Sequence, residues 1–304
     1  MVERNRALDW LTHTILIGGA ILVGFPIYYA FVAATQPVSE VVKVPMTLIP
    51  GDQLLNNVGT AWEQAKLGRQ LFNSFVMAFG ITVGKITISI LSAFSITYFS
   101  YRFRVVAFWM IFITLMLPIE VRIVPTYQVA ANALLPLQVL VDVLNLEGLF
   151  AGLFGHSIDI SLEWSLLDSY AGLTLPLMAS ATATFLFRQF FLTVPEELCE
   201  AARIDGAGPM RFFRDILLPM SVTNMAALAV ILFVFSWNQY LWPLLMTTDP
   251  EMKTVVIGVA QLVPDIEGEP DWHIAMAAML LALFPPVVVV VVLQGLFVQG
   301  LIKG

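Results

Sequence analysis

Lys85 stands in the middle of an apolar run, GITVGKITISI, residues 80–90. An ionisable group surrounded by hydrocarbon-compatible residues is costly, and in a membrane helix it is a functional candidate by default. Two readings are open for it. Lys85 attracts an anion along a path through the protein, or its stem carries the ammonium to an interface or to a structural ion pair. Glu120 and Arg122 form a second candidate, just after Pro118. On a regular helix, residues two apart point to different sides. A proline-distorted segment lining a water-filled cavity can hold both, so they read either as an inter-helix pair or as pathway groups. Trp237, Asn238, Tyr240 and Trp242 form an aromatic and polar run. It suits stacking on a polyol, or an aromatic belt at a membrane interface.

Covalent and metal chemistry find little support. Cys199 is the single cysteine, and His13, His156 and His273 lie far apart, without metal-ligand spacing. A membrane-embedded enzyme would need clustered His, Asp or Glu, or a nucleophile pair on facing helices, and none is seen. No Gly-x4-Gly-Lys-Ser/Thr run occurs, so no nucleotide-binding loop is expected. The expectation is no catalytic residue, no bound cofactor and no metal.

The elements that carry these residues follow from composition. Of 304 residues, 59% are apolar and 12% charged, and mean hydropathy is +0.84. Soluble domains carry about twice that charge. A net charge of −7 also opposes a nucleic-acid partner, which needs a basic face. An all-α integral membrane protein remains, with room for six spans of about 20 residues each. The apolar stretches predict helices at about 14–34, 71–99, 105–127, 170–192, 220–246 and 274–298 in one membrane domain, with kinks near Pro118 and Pro285-Pro286. The first stretch is longer than the apolar core of a signal peptide and reads as an uncleaved span.

Basic residues orient the chain. With the N-terminus in the cytoplasm, Arg4, Arg6, Arg102, Arg104, Arg188, Arg203, Arg211, Arg214 and Lys303 are cytoplasmic, and only Lys43, Lys66, Arg69 and Lys253 lie outside. Both termini are then cytoplasmic. The segment 135–164 is apolar, but Asp142, Asn145, Glu147 and Gly148 interrupt it. A seventh crossing there would place the arginines of 203–214 outside. It therefore reads as an outside amphipathic hairpin or an interfacial helix, in contact with lipid or a partner.

Residues 195–219 are the charge-dense cytoplasmic stretch. Pro195 opens a helix, Glu196, Glu197 and Glu200 suit its positive end, and Gly206 stops it. A second short helix, about 209–217, ends at Pro219. Small alanines allow close approach, so the stretch reads as a docking element.

The pattern Glu200-Ala201-Ala202, Gly206, Ile216, Leu218-Pro219 matches the EAA motif and resembles ABC importer permeases. In that family the loop holds a coupling helix that seats in a cleft of the cytoplasmic ATPase. Residues 237–245 (WNQYLWPLL), Asn73-Ser74 and the tail FVQGL resemble the carbohydrate-importer branch. Runs at 30–35, 45–51, 73–79, 108–123 and 167–191 are similar to permeases of sn-glycerol-3-phosphate importers, and residues 135–164 depart from that pattern as an insertion. The resemblance implies a type I importer permease fold in a bacterial inner membrane. It implies a second permease subunit, two ATPase subunits that bind ATP and Mg, and an extracytoplasmic substrate-binding protein. The implied cargo is sn-glycerol 3-phosphate, or else another sugar, oligosaccharide or polyol.

Overall fold

A computed structural model describes residues 6–114, 119–156, 159–263 and 271–303. Among them the secondary structure is helical, without strands. Three helices are long and apolar enough to cross a membrane alone: Leu8–Thr35, Leu67–Tyr98 and Trp272–Gly295. Three bent pairs pass the same test together, which allows up to six spans.

The bends are where the structure departs from unbroken spans. The stretch 170–192 is two helices meeting at 48°, with Leu175–Leu177 as a 3-10 turn around Pro176. Ser169 and Ser180 start the two halves, accepting from Gly172 N and Ala183 N. The stretch 220–246 is divided into Val222–Trp237 and Leu241–Met246. Pro243 accounts for that break: its ring excludes the carbonyl four residues back, at Gln239. The helix that ends at Met220 meets Val222–Trp237 at 68°. It contains a π turn, Phe213–Leu217, which takes up the distortion around Pro219, so that proline lies inside the helical segment and does not end it. The stretch 105–127 is described as Arg104–Ile113 and Ile119–Ala131, with Pro118 outside the described residues. Ile119–Ala131 then meets Leu135–Val143 at 79°. Trp272–Lys303 runs as one helix through Pro285-Pro286.

The chain divides into two compact units, residues 1–71 with 257–285 and residues 72–256 with 286–304. In the first, the end of the Arg6–Thr35 helix is tied to the segment that follows. Buried Asn57 donates from Nδ2 to Ala34 O (2.8 Å) and Gln36 O (2.9 Å), and Tyr28 donates to Leu48 O. Gly51 N donates to Thr35 Oγ1, and a Cβ at Gly51 would come within 2.6 Å of Thr35 O. Val32, Ala33 and Met46 form the small core there. Most of the same helix is exposed apolar surface, as a lipid-facing span requires.

The second unit has two cores on one long helix. Met77 and Ile81 pack with Leu173, Trp242, Met246 and Met252. Ile86, Ile90 and Phe94 pack with Phe187, Phe191, Phe212, Phe213 and Leu217. The first core is closed by Asn73, which is fully buried. Its Nδ2 donates to Glu251 O (2.7 Å) and Lys253 O (2.9 Å), and its Oδ1 accepts from Tyr170 Oη (2.7 Å). Ser74 accepts from Val255 N. One asparagine thus joins three stretches of chain.

Replacing Asn73 by Leu strands two carbonyls and a tyrosine hydroxyl. The expected cost is roughly 2–4 kcal/mol, against about 1 kcal/mol for Tyr170→Phe. Thermal unfolding in detergent reads the difference, and an unchanged midpoint for Asn73→Leu would reject the role of this residue as a hub.

Candidate functional site: the 195–219 segment and the Lys85 surroundings

The 195–219 segment is built from a local helix stop. Glu196–Ile204 is helical, with Glu196 and Glu197 in the first turn and Arg203 in the last. Gly206 takes φ +70°, a left-handed conformation that glycine adopts without penalty. Ala207 N donates to Ala202 O (2.8 Å) and Gly206 N to Arg203 O (3.0 Å). These two bonds are the Schellman closure of a helix C-terminus. The chain then re-enters helix at Pro209.

The segment has two faces. Ala202, Phe212, Phe213 and Leu217 are buried, with the Phe94 and Phe213 rings 4.9 Å apart and the Tyr98 and Phe212 rings 5.4 Å apart. Ile216 and Leu218 pack partly against the same core. Glu200, Ala201, Gly206 and Pro219 are exposed. The motif residues therefore divide into a set that anchors the loop and a set that faces outward. Exposed alongside the outward set are Ile204 at 85% and Met210 at 66%, with Arg203, Arg211 and Arg214 around them. An apolar tip ringed by charge is what a docking surface needs. Asp215 is held below the usual carboxylate range, chiefly by its hydrogen bond from Arg214 Nε at 2.7 Å. That pair is exposed and adds little stability. Beneath the loop, a cavity of about 220 Å³ is lined by Phe94, Tyr98, Cys199, Ala202, Pro209 and Phe212. Partial burial raises the Cys199 thiol above its ordinary value.

The intramembrane candidates are placed unequally. Lys85 is 8% exposed, with Nζ 5.0 Å from the centre of the Phe235 ring. Among the described residues it makes no ion pair. The Glu120 side chain lies outside the described residues. Arg122 is exposed. Trp237 is buried and stacks on Phe233 at 5.7 Å, and Trp242 is buried with Nε1 donating to Gly172 O. Both are core residues. Asn238 and Tyr240 are exposed in the break between helices, so the run does not act as one aromatic surface.

Sequence reasoning missed Phe235 and Asp168. Asp168 sits at φ +51°, and its carboxylate accepts from Thr248 N, Thr248 Oγ1 and Asp249 N at 2.6–2.8 Å. Those bonds, the Thr248 hydroxyl first, lower its pKa. It clips the 246–252 turn in place. Its partners lie 80 residues away, and no local pattern marks it.

These features define a polytopic helical membrane protein whose 195–219 segment has a buried aromatic face and an exposed, charge-ringed one. The description "Binding-protein-dependent transport system inner membrane component" matches residues 85–303. The chain belongs to that family, the inner-membrane permease subunits of ABC importers. The sn-glycerol-3-phosphate transport system permease proteins UgpE of Salmonella typhimurium and Escherichia coli are each 53% identical to it over 310 residues, spanning 100% of this chain and 99% of theirs. That of Yersinia enterocolitica is 52% identical over the same span. In fold the chain is similar to a bacterial ABC transporter involved in the import of the acidic polysaccharide alginate, at TM-score 0.72 and 17% identity over 97% of this chain and 98% of that one. A second structure of a bacterial alginate ABC transporter, in complex with its alginate pentasaccharide-bound periplasmic protein, matches at TM-score 0.60 and 16% identity over 94% and 93%.

Proposed function

We propose that this permease subunit carries sn-glycerol 3-phosphate and is driven by a separate ATPase pair that engages the 195–219 loop. The observation that carries the cargo reading is full-length 53% identity to permeases of that substrate. Lys85 supplies the chemistry: a phosphate monoester moved through a low-dielectric bundle needs a countercharge, and Lys85 is a buried cation with an aromatic face as its neighbour. Phe235 holds the ammonium by its ring quadrupole and leaves it free to meet an anion. Arg122, and Glu120 beside it, are the further pathway candidates. Asn238 and Tyr240 are exposed polar groups available to a polyol, whereas buried Trp237 bears on the path only through packing.

In the loop, Glu200, Ala201, Gly206 and Pro219 face the ATPase, and Ala202, Ile216 and Leu218 transmit its movement to the aromatic core around Phe94. The ATPase binds ATP and Mg, so this subunit needs no cofactor of its own. A second permease subunit and an extracytoplasmic binding protein complete the importer, and both termini face the cytoplasm. Alternating access then follows when ATP binding favours the conformation that opens outwards.

Three measurements test this reading. A membrane-impermeant maleimide applied to intact cells should leave Cys199 unlabelled, while permeabilised cells label slowly because burial raises the thiol's pKa. Labelling in intact cells would reverse the topology.

Gly206→Val forces a β-branched residue into left-handed backbone at a cost of about 2 kcal/mol. Space around Gly206 is open, so strain and not crowding is the cause. Gly206→Asn, which tolerates that conformation, should keep uptake. Gly206→Val should insert normally yet lose ATPase co-purification and uptake, and equal behaviour of the two variants would remove the helix stop from the coupling role.

Lys85→Met, in a complex shown to assemble, should lower sn-glycerol 3-phosphate uptake about tenfold if the lost countercharge costs about 1.4 kcal/mol. Uptake of an uncharged polyol or a phosphodiester should fall much less. Equal loss for all substrates makes Lys85 structural, and unchanged uptake removes it from the path.

A further inference from the structure

Residues 130–166 form a small subassembly inside the second unit. Leu135–Val143 and Leu146–Phe154 are two helices joined at Leu144-Asn145, with Asn145 at φ +46°. Residues 159–166 return as a strap without helix or strand. Ala133 N donates to Trp164 O (2.8 Å) and Leu166 N to Ala130 O (2.9 Å), which fixes the strap to the end of the Ile119–Ala131 helix.

Glu147 and Gln138 are half-buried and turned to the strap, whereas Asp142 and Asn145 stay exposed. Glu147 Oε1 accepts from Ile160 N (2.9 Å), and Gln138 Oε1 accepts from Leu162 N (2.7 Å). Asn132 donates to Leu162 O and accepts from Leu134 N and Trp164 N. The Gly148 position leaves room for the Asn145 amide, since a Cβ there would come within 2.6 Å of it. Asp142 accepts from Gln138. What the hairpin presents outward is chiefly aliphatic: Leu137, Leu140, Val143, Leu149 and Leu153 are exposed, Val143 at 75% and Leu153 at 70%, with Asp142 and Asn145 as the exposed polar groups among them. An exposed surface that is mostly aliphatic is not that of a water-facing hairpin.

From this juxtaposition we propose that the 135–154 hairpin is embedded in one leaflet of the bilayer, at the boundary between acyl chains and headgroups. Two further observations select lipid over a protein partner. The hairpin's first helix, Leu135–Val143, follows the Ile119–Ala131 helix directly, and with Val121–Ala131 it makes a bent pair long and apolar enough to cross a membrane. Its exposed aliphatic surface thus continues that of Val121, Val124 and Val129 in an inner-membrane protein. Basic charge is also missing from the hairpin: residues 123–155 contain no Lys, Arg or His, and its exposed acid is Asp142. A protein dock is rimmed by polar residues, but here the exposed acids Asp159 and Glu163 belong to the strap, beside an exposed Trp164 suited to an interface. Without cations on the face, attachment rests on apolar area alone and does not depend on anionic lipid.

The test uses the assembled importer in lipid nanodiscs, with Cys199→Ser as background. Spin labels at Val143→Cys, Leu149→Cys and Leu153→Cys should be accessible to oxygen and shielded from a water-soluble nickel chelate. Labels at Asp159→Cys and Glu163→Cys should show the reverse. The pattern should be the same in phosphatidylcholine and with phosphatidylglycerol added. The unlabelled chain gives a second reading: the fluorescence lost in Trp164→Phe should be the fraction quenched by lipids brominated near the headgroup. Chelate access at Val143 and Leu153 equal to that at Asp159 overturns the proposal. So does shielding that develops only when a substrate-binding protein is added, which would make the hairpin a protein dock. Neither outcome touches the cargo reading, which rests on Lys85 and uptake.

Discussion

Hydrocarbon accepts and donates no hydrogen bonds, so every interruption of a membrane helix must satisfy its own backbone from within the protein. Much of this structure is an answer to that demand. Pro176, Pro219 and Pro243 each remove a donor and displace a carbonyl. A 3-10 turn with serine caps, a π turn and a full break answer them in turn. Ser221 adds a bond from its hydroxyl to Leu217 O (2.6 Å) at the 68° bend. The bends cost regularity, but each supplies something a straight helix lacks. The break after Trp237 exposes Asn238 and Tyr240, and the bend at Ser221 turns the 209–220 helix away from the helix that follows.

The same demand explains why single polar residues have wide reach. Asn73 in the core and Asp168 at the 246–252 turn each satisfy several backbone groups from distant parts of the chain. In water such bonds are nearly neutral exchanges, but in a buried setting losing a partner exposes the full desolvation cost. Rigidity at that core and adaptability at the 195–219 loop are then complementary. The loop is anchored by interlocking rings, which can slide or tilt with small penalties, whereas the Asn73 network is directional and resists displacement.

How much of this was legible in the sequence depends on how local each cause is. The helix stop at Gly206 and the acidic first turn from Glu196 lie within one short stretch, and composition and spacing are enough to place them, whereas the burial of Phe212, Phe213 and Leu217 appears only in the packed structure. The family pattern at Glu200 to Pro219 is equally local. Lys85 was visible as an anomaly of composition, but its stacking on Phe235 was not, because the two lie on separate helices. Trp237 and Trp242 read as surface aromatics and are buried, since only tertiary packing distinguishes a belt from a core. Asp168 had no signal at all: its left-handed backbone and its partners at 248 and 249 are set by a turn that does not exist until the chain is folded.

The 135–164 segment shows where residue-by-residue costs mislead. Summed as exposed groups, Asp142, Asn145, Glu147 and Gln138 make the stretch too polar for lipid. Folded, Glu147 and Gln138 are spent on the strap, Asn145 lies against Gly148, and Asp142 is bonded to Gln138. The penalty for a polar residue in lipid is a penalty for an unpartnered one. A hydropathy window cannot see partners supplied by residues 160–164, so it counts the bonded Glu147 and Gln138 as it counts the exposed Asp142 and Asn145. The aliphatic residues left on the outside then set the character of the surface. They require a cover that the described residues of the chain do not supply.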